Sequence, residues 1–182
     1  MTVAIAVMDY AETDQRERLS HEQFERFYTR TMSRLRFYIC RVASNEAIAD
    51  DILQESYIRL LNAPPMTERE RKSYLYRVAT NLITDHWRAE NRRQRWWGEW
   101  FRRATQVRSG GLDLGFDVWQ LFALVSIRDR ALLWLAYVEE ADHQEIASTL
   151  HLREMSVKVL LHRARRRMEA VLRKHGFEES DG

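Results

Sequence analysis

The sequence predicts an all-α protein, with two small helical domains joined by a linker and a helix-turn-helix in the second domain. Its 182 residues suffice for one ordinary domain or two small ones. With 2 Pro and 6 Gly, the chain has too few turn-forming residues for a many-stranded sandwich or barrel. Apolar residues recur at helical spacing on both sides of a glycine-containing stretch that lacks this period. We therefore expect a tail over 1–18, domains over 19–95 and 117–178, and a linker over 96–116.

Three helices are predicted in the first domain, and each begins at a recognisable cap. The caps are Ser20 with Gln23, the pair Ser44–Asn45, and Thr67 with Glu70. The second helix is expected to bury Leu60 and Leu61, and Pro64–Pro65 ends it. The third helix runs into a segment rich in arginine.

Four helices are predicted in the second domain. The caps of the first three are Asp117, Ser126 with Asp129, and Asp142 with Glu145. The last helix carries an apolar stripe formed by Val157, Leu160, Leu161, Ala164, Met168 and Val171. Because a short helix, a turn of about four residues and a basic helix follow one another, we predict a helix-turn-helix whose second helix enters a DNA major groove. An exposed basic helix without a partner is the alternative.

The charge of the chain is unevenly distributed. The net charge is only +2, but residues 87–108 carry +5 and residues 158–174 carry +6, so the remainder carries −9. Two basic patches on an otherwise acidic chain indicate two contacts with polyanions and a separate acidic surface.

Composition and motifs argue against several other classes of protein. The single cysteine, Cys40, excludes an internal disulfide, and its apolar neighbours indicate a packed core thiol. The six histidines form no HExxH motif, and there is no glycine-rich phosphate loop. No apolar run approaches the ~18 residues of a membrane span. We therefore expect a cytoplasmic protein that is not an enzyme, with no catalytic residue, cofactor, metal or membrane insertion.

Motifs in both domains resemble one family. The second domain contains EIASTLHLREMSVKVLLHRARRRM, and the first contains ADDILQESYIRLL and SYLYRVATNLITDHWRAENRR. In this order they resemble bacterial RNA polymerase sigma factors of the extracytoplasmic-function (ECF) group, over about residues 20–95 and 117–173. The resemblance implies an alternative sigma factor that binds core RNA polymerase, recognises the −10 and −35 elements of promoter DNA and initiates transcription. It also implies control by an anti-sigma factor.

The second predicted helix carries the candidate polymerase-binding residues. Its polar residues off the apolar stripe are Asp50, Asp51, Gln54 and Glu55. An acidic face of this kind suits a basic helical partner, and in the family this segment docks on the clamp helices of the large polymerase subunits. A solvated helix face is the alternative.

The third predicted helix carries the candidate −10 contacts. By resemblance these are Asn81, Asp85, Arg88, Arg92 and Arg93. Asn81 matches a position that holds an unstacked base, and such opening also needs cations for the backbone. The stretch Asn62–Arg71 takes the place of the family's specificity loop. A capping role for Asn81 and a plain connection for the loop are the alternatives.

The last predicted helix carries the candidate −35 contacts. They are Lys158, Val159, His162, Arg163 and Arg166. The turn departs from the family pattern, since His151 stands at the usual glycine and Arg153 at the usual small N-cap residue. Met155-Ser156 and Val159-Leu160 replace a common Gly-Thr and Ser-Arg. We expect an unusual −35 sequence, or weaker dependence on it.

Two interpretations remain open at this level. The linker aromatics Trp96, Trp97, Trp100 and Phe101 form either a contact surface for polymerase or an anti-sigma partner, or a short helix packed on one domain. A helix-turn-helix regulator that binds DNA as a dimer is the alternative function. It would leave the acidic helix and residues 81–93 without a role.

Overall fold

The computed structural model describes residues 19–96 and 114–177, and these residues form seven α-helices and one short 3-10 helix. The helices are α1 (His21–Ala43), the 3-10 helix (Glu46–Ile48), α2 (Ala49–Leu61), α3 (Glu68–Trp96), α4 (Leu114–Ala123), α5 (Ile127–Tyr137), α6 (His143–Leu150) and α7 (Glu154–Lys174). No β-strand occurs in the two described ranges, and the predicted all-α class is confirmed. The predicted tail over 1–18 and residues 97–113 of the predicted linker lie outside the described residues, as do the side chains of 94–96 and 114–117.

The caps read from the sequence form as expected, with two exceptions. Ser20 and Gln23 make a reciprocal capping box at α1, and Asp142 and Glu145 make another at α6. The first exception is the pair Ser44–Asn45, expected at the start of the second helix: Asn45 caps the 3-10 helix instead, and α2 begins at Ala49 without a side-chain cap. The second is Asp117, which was expected to cap α4. That helix begins at Leu114, so Asp117 lies within its first turn.

Helices α1, α2 and α3 bury one apolar face each against the other two. The most buried side chains include Leu35, Ile39, Ile52, Leu75, Ala79 and Ile83. Cys40 is buried, as predicted. The prediction that Leu61 is buried is wrong, since its side chain is 54% exposed whereas Leu60 is 4% exposed. Adjacent helical positions point about 100° apart, so only one of the two leucines can face the core.

Helix α5 is the centre of the second half. Residues Ala131 to Leu135 are all buried, because α5 packs against α6 and α7 on one side and against α1 on the other. Ser126 caps the helix by accepting a hydrogen bond from the N–H of Asp129. The same Asp129 carboxylate accepts hydrogen bonds from Arg167 at 2.8 and 3.0 Å, which ties α7 to α5.

The two halves pack against each other along an interdomain seam. Its apolar part joins Phe37 and Tyr38 of α1 to Trp134 of α5, with ring centroids 5.3 and 6.0 Å apart. Tyr38 is fully buried, and its hydroxyl is 2.5 Å from that of Thr80 on α3. Burial raises the pKa of Tyr38 well above its usual range. The apolar core is therefore continuous across the two halves.

Ion pairs border the apolar part of the seam. Arg69 at the start of α3 reaches Asp142 at 2.7 Å and Glu145 at 2.8 Å, and these two acids form the capping box of α6. Lys72 Nζ lies 3.1 Å from Oε2 of Glu139, whose side chain is only 2% exposed. The first helix of the predicted helix-turn-helix is thereby held against the first half.

Arg130 is an unfavourable element of the seam. It is 5% exposed, and among the described residues its side chain donates one hydrogen bond, to Ser44 Oγ, while its Nε has no partner there. Burial lowers the pKa of its guanidinium to about 10. No carboxylate in the described ranges forms an ion pair with it, so desolvation of the charge is not offset by an opposite charge.

Replacing Arg130 by Met should therefore increase stability. We expect the free energy of unfolding to rise by about 1 kcal/mol or more, because an apolar side chain of similar length avoids burying an unpaired charge. Urea unfolding followed by circular dichroism measures the change. Arg128→Met is the matched control on the exposed face of the same helix and should change stability by no more than about 0.5 kcal/mol. Destabilisation by Arg130→Met would show that the guanidinium contributes favourably.

Candidate nucleic-acid and protein interfaces

The predicted acidic face of α2 is exposed, but its four residues are not equivalent. Asp50 is held by Arg36, with N–O distances of 2.7 and 3.3 Å, and these hydrogen bonds lower the pKa of its carboxyl group. Glu55 pairs with Arg59 one turn away at 2.7 Å. Asp51 and Gln54 are exposed and form no hydrogen bond or ion pair within the described part of the chain. They are therefore available to an external partner.

Two apolar side chains extend this face. Ile58 is 44% exposed and Leu61 is 54% exposed. Helical spacing places them beside Gln54, at four and seven residues along α2. The apolar stripe predicted for this helix included Leu61 but not Ile58. The spacing 54, 58 and 61 was the signal that could have identified a mixed polar and apolar surface.

The predicted −10 residues lie along one exposed stripe of α3. Asn81, Asp85, Arg88 and Arg92 are all exposed and follow helical spacing, while Arg93 lies to one side. Asp85 and Arg88 pair at 3.5 Å. Asn81 lies deep inside α3 and its side chain makes no hydrogen bond to any described residue, so the alternative of a capping role does not hold.

The opposite side of α3 fixes the direction of this stripe. Tyr76, Ala79 and Ile83 are buried in the core. Further along, the indole N–H of Trp87 donates a 3.1 Å hydrogen bond to the carbonyl of Ala43 at the end of α1. Rotation of α3 about its axis would break this bond and expose its apolar side chains, so Asn81 is held facing outward.

The loop between α2 and α3 borders an interdomain cleft. Of the predicted loop over 62–71, residues 62–67 are irregular and the rest form the first turn of α3. Pro64, Pro65 and Met66 line a cavity of about 530 Å³, together with Gln144 and Ser148 of α6. In this structure the loop faces α6 of the second half across this cavity.

Helices α6 and α7 form the predicted helix-turn-helix. Ile146 and Val157 are fully buried where the two helices meet. His151 ends α6 in the left-handed conformation, with φ 51° and ψ 50°, as its position at the usual glycine implies. Arg153 stands at the N-cap of α7 without a capping hydrogen bond from its side chain.

All five predicted −35 residues are exposed on α7. They are Lys158, Val159, His162, Arg163 and Arg166. The opposite face of the helix buries Val157, Leu161 and Ala164. The exposed face carries three cations, and it is suited to a polyanion.

Two further kinds of site are not found in the described ranges. Over residues 19–96 and 114–177, no three His, Cys, Asp or Glu side chains are grouped so as to hold a metal ion. None of the helices there is both long and apolar enough to cross a membrane.

Comparison with known proteins identifies the family. The model of sigma-70 region 2 matches residues 27–93, and that of sigma-70 region 4 matches residues 116–168. The ECF RNA polymerase sigma factor SigM of Bacillus subtilis is 22% identical over 152 residues, covering 81% of this chain and 93% of its own. The chain belongs to the sigma-70 family, in its ECF group. As a sigma factor it is a transcription initiation factor that works with RNA polymerase at promoters.

A solved structure shares the fold of this sigma factor. The sigma factor RpoE of Bartonella quintana, crystallised in complex with the anti-sigma factor NepR, matches with a TM-score of 0.65 at 17% identity. The match covers 84% of this chain and 98% of that one. A region 2 match over the first half gives α2 and α3 a role that a dimeric helix-turn-helix regulator would lack, so that alternative is set aside.

The turn of the helix-turn-helix gives a prediction about stability. Replacing His151 by Gly should raise the free energy of unfolding by about 1 kcal/mol, because glycine adopts the left-handed conformation without a steric penalty. His143→Gly in the first turn of α6 is the control and should give no stabilisation, since glycine lowers helix stability. Chemical denaturation of both variants measures the difference. Equal effects would indicate that His151 carries no backbone strain.

Proposed function

We propose that the exposed face of α2 binds core RNA polymerase. Asp51 and Gln54 form the polar part of this face and Ile58 and Leu61 the apolar part. Asp50 and Glu55 contribute negative charge to the same region while paired with arginines. Interfaces commonly combine an apolar centre with charged groups that set specificity. This face would take a partner that presents basic and apolar side chains on a helix.

Promoter recognition is divided between α3 and α7 in this proposal. The stripe of Asn81, Asp85, Arg88, Arg92 and Arg93 contacts the −10 element, where Asn81 would hydrogen-bond an unstacked base. The exposed face of α7 enters the major groove of the −35 element, with Lys158, His162, Arg163 and Arg166 near phosphates or base edges. The observation that supports this division most is the order of the region 2 and region 4 matches on two outward-facing surfaces.

The packed chain cannot contact both elements at once. By their names the elements are centred about 25 base pairs apart, which is about 85 Å of B-form DNA. A compact chain of this length has a radius of gyration of about 16 Å and a diameter of about 40 Å. We therefore propose that the interdomain seam opens when polymerase binds, so that Arg69 leaves Asp142 and Glu145.

The remaining partners and the location follow from this role. We propose that the chain is a binding subunit rather than an enzyme, since polymerase supplies the chemistry. It would act in the cytoplasm, where bacterial polymerase and chromosome are found. Because a similar fold has been solved with an anti-sigma factor bound, we propose such a partner for this chain as well.

The polymerase interface is tested by the double variant Asp51→Arg with Gln54→Ala. It replaces an attractive charge by a repulsive one, so affinity for core polymerase should fall by at least tenfold. Both positions are exposed, so stability should change by no more than about 0.5 kcal/mol. Glu25→Arg, an exposed acid on α1 outside the face, is the control. Core binding at wild-type affinity by the double variant, in a pull-down or titration, would contradict the assignment.

The −10 assignment is tested by Asn81→Ala. Promoter opening, followed with a fluorescent base in the −10 element, should be impaired more than duplex binding, because the proposed partner is an unstacked base. Asn91→Ala removes the same amide from an exposed position of α3 off the stripe and should open the promoter normally. If both variants open it equally well, Asn81 is not the base contact.

A further inference from the structure

Two exposed apolar side chains stand near the start of α7. Met155 is 92% exposed and Val159 is 50% exposed. Neither packs against the hydrophobic core. They are four residues apart, so they are neighbours on the helix surface. The described residues 19–96 and 114–177 give them no packing role.

Helical geometry places this pair at the centre of the DNA-facing surface. Positions 155, 159, 162 and 166 fall within about 60° of one another around α7. The buried residues Val157, Leu161 and Ala164 lie on the opposite side. Lys158 and Arg163 flank the central stripe on its two edges. The stripe is therefore apolar in its first two turns and basic in its later turns.

The chemistry of the major groove explains such a stripe. Residues at the N-terminal end of a recognition helix contact base edges, and flanking cations contact phosphates. The apolar group that the major groove presents is the C5-methyl group of thymine. Duplex DNA requires flanking cations to contact its phosphates, whereas a protein partner does not require them.

We propose that Met155 and Val159 read thymine methyl groups in the −35 element, which therefore contains thymines at the positions facing these two side chains. The inference rests on the proposed role of α7 in −35 binding. It assigns Met155 a function that the sequence motifs did not indicate. Lys158 and Arg163 hold the helix in the groove, and the apolar pair selects thymine over cytosine.

The probe is a duplex in which selected thymines lack the methyl group. Full-length protein, alone and with core polymerase, is used to select sequences from a randomised duplex pool. The selected duplex is then synthesised with deoxyuridine in place of each thymine in turn. This substitution removes the C5-methyl group and keeps the O4 acceptor. Affinity should fall about fourfold at the thymines read by Met155 and Val159, as expected for one lost apolar group.

Variants distinguish methyl reading from altered DNA shape. Met155→Gln with Val159→Asn replaces both apolar ends by amides, so it should bind thymine and deoxyuridine duplexes equally. Lys158→Ala should weaken both duplexes by the same factor and preserve their ratio.

The results distinguish failure of thymine-methyl reading from failure of the −35 role of α7. Selective duplex binding with no thymine preference in the wild-type chain would overturn methyl reading and leave the −35 role intact. A thymine preference that survives the double variant would also overturn it. Absence of any selected sequence, with and without polymerase, would overturn the −35 role of α7 itself.

Discussion

The contact of Trp134 with Phe37 and Tyr38 determines how the two described halves pack together. Trp134 lies in the buried central part of α5, and Tyr38 lies where α1 meets α3. Aromatic side chains bury large apolar areas, so this contact joins the apolar cores of the two halves. With α5 fixed against α1, α6 must lie beside α3. Helix α7 must then point its basic face outward.

The seam combines a stable apolar centre with a weakly stabilising rim. Arg69 and its partner Asp142 are more than half exposed, so their ion pair contributes little in water. The carboxyl pKa of Asp142 is lowered by a hydrogen bond from the N–H of Glu145 and by the charge of Arg69. The stabilisation of the fold by the ionised Asp142 carboxylate is present at neutral pH. It is lost only as pH falls below the usual range of a carboxyl group. Arg130 disfavours the closed seam, because closing it buries the Arg130 guanidinium without an opposite charge. The proposed opening of the seam therefore has to overcome mainly its apolar contacts and not its rim.

Much of the fold and of the candidate site was predictable because it depends on local rules. Capping boxes and helical spacing depend on residues three or four apart, so helix starts and exposed faces could be read directly. Leu61 was misplaced because two adjacent leucines give no local reason to choose which one is buried. Trp134, Arg130 and Glu139 were missed for another reason. Their burial comes from contacts between halves, and the period within one helix carries no information about these contacts. The exposure of Met155 likewise became visible only with the packing.

The distance between the two halves, with and without polymerase, tests most directly whether the seam must open for promoter recognition. Fluorescent labels at Glu25→Cys on α1 and Arg128→Cys on α5, in a chain with Cys40→Ala, report this distance by energy transfer. Both positions are exposed and outside the proposed contact faces. We expect efficient transfer in the free chain and its loss in the polymerase complex. Efficient transfer that persists in a complex active at a promoter would contradict the opening of the seam.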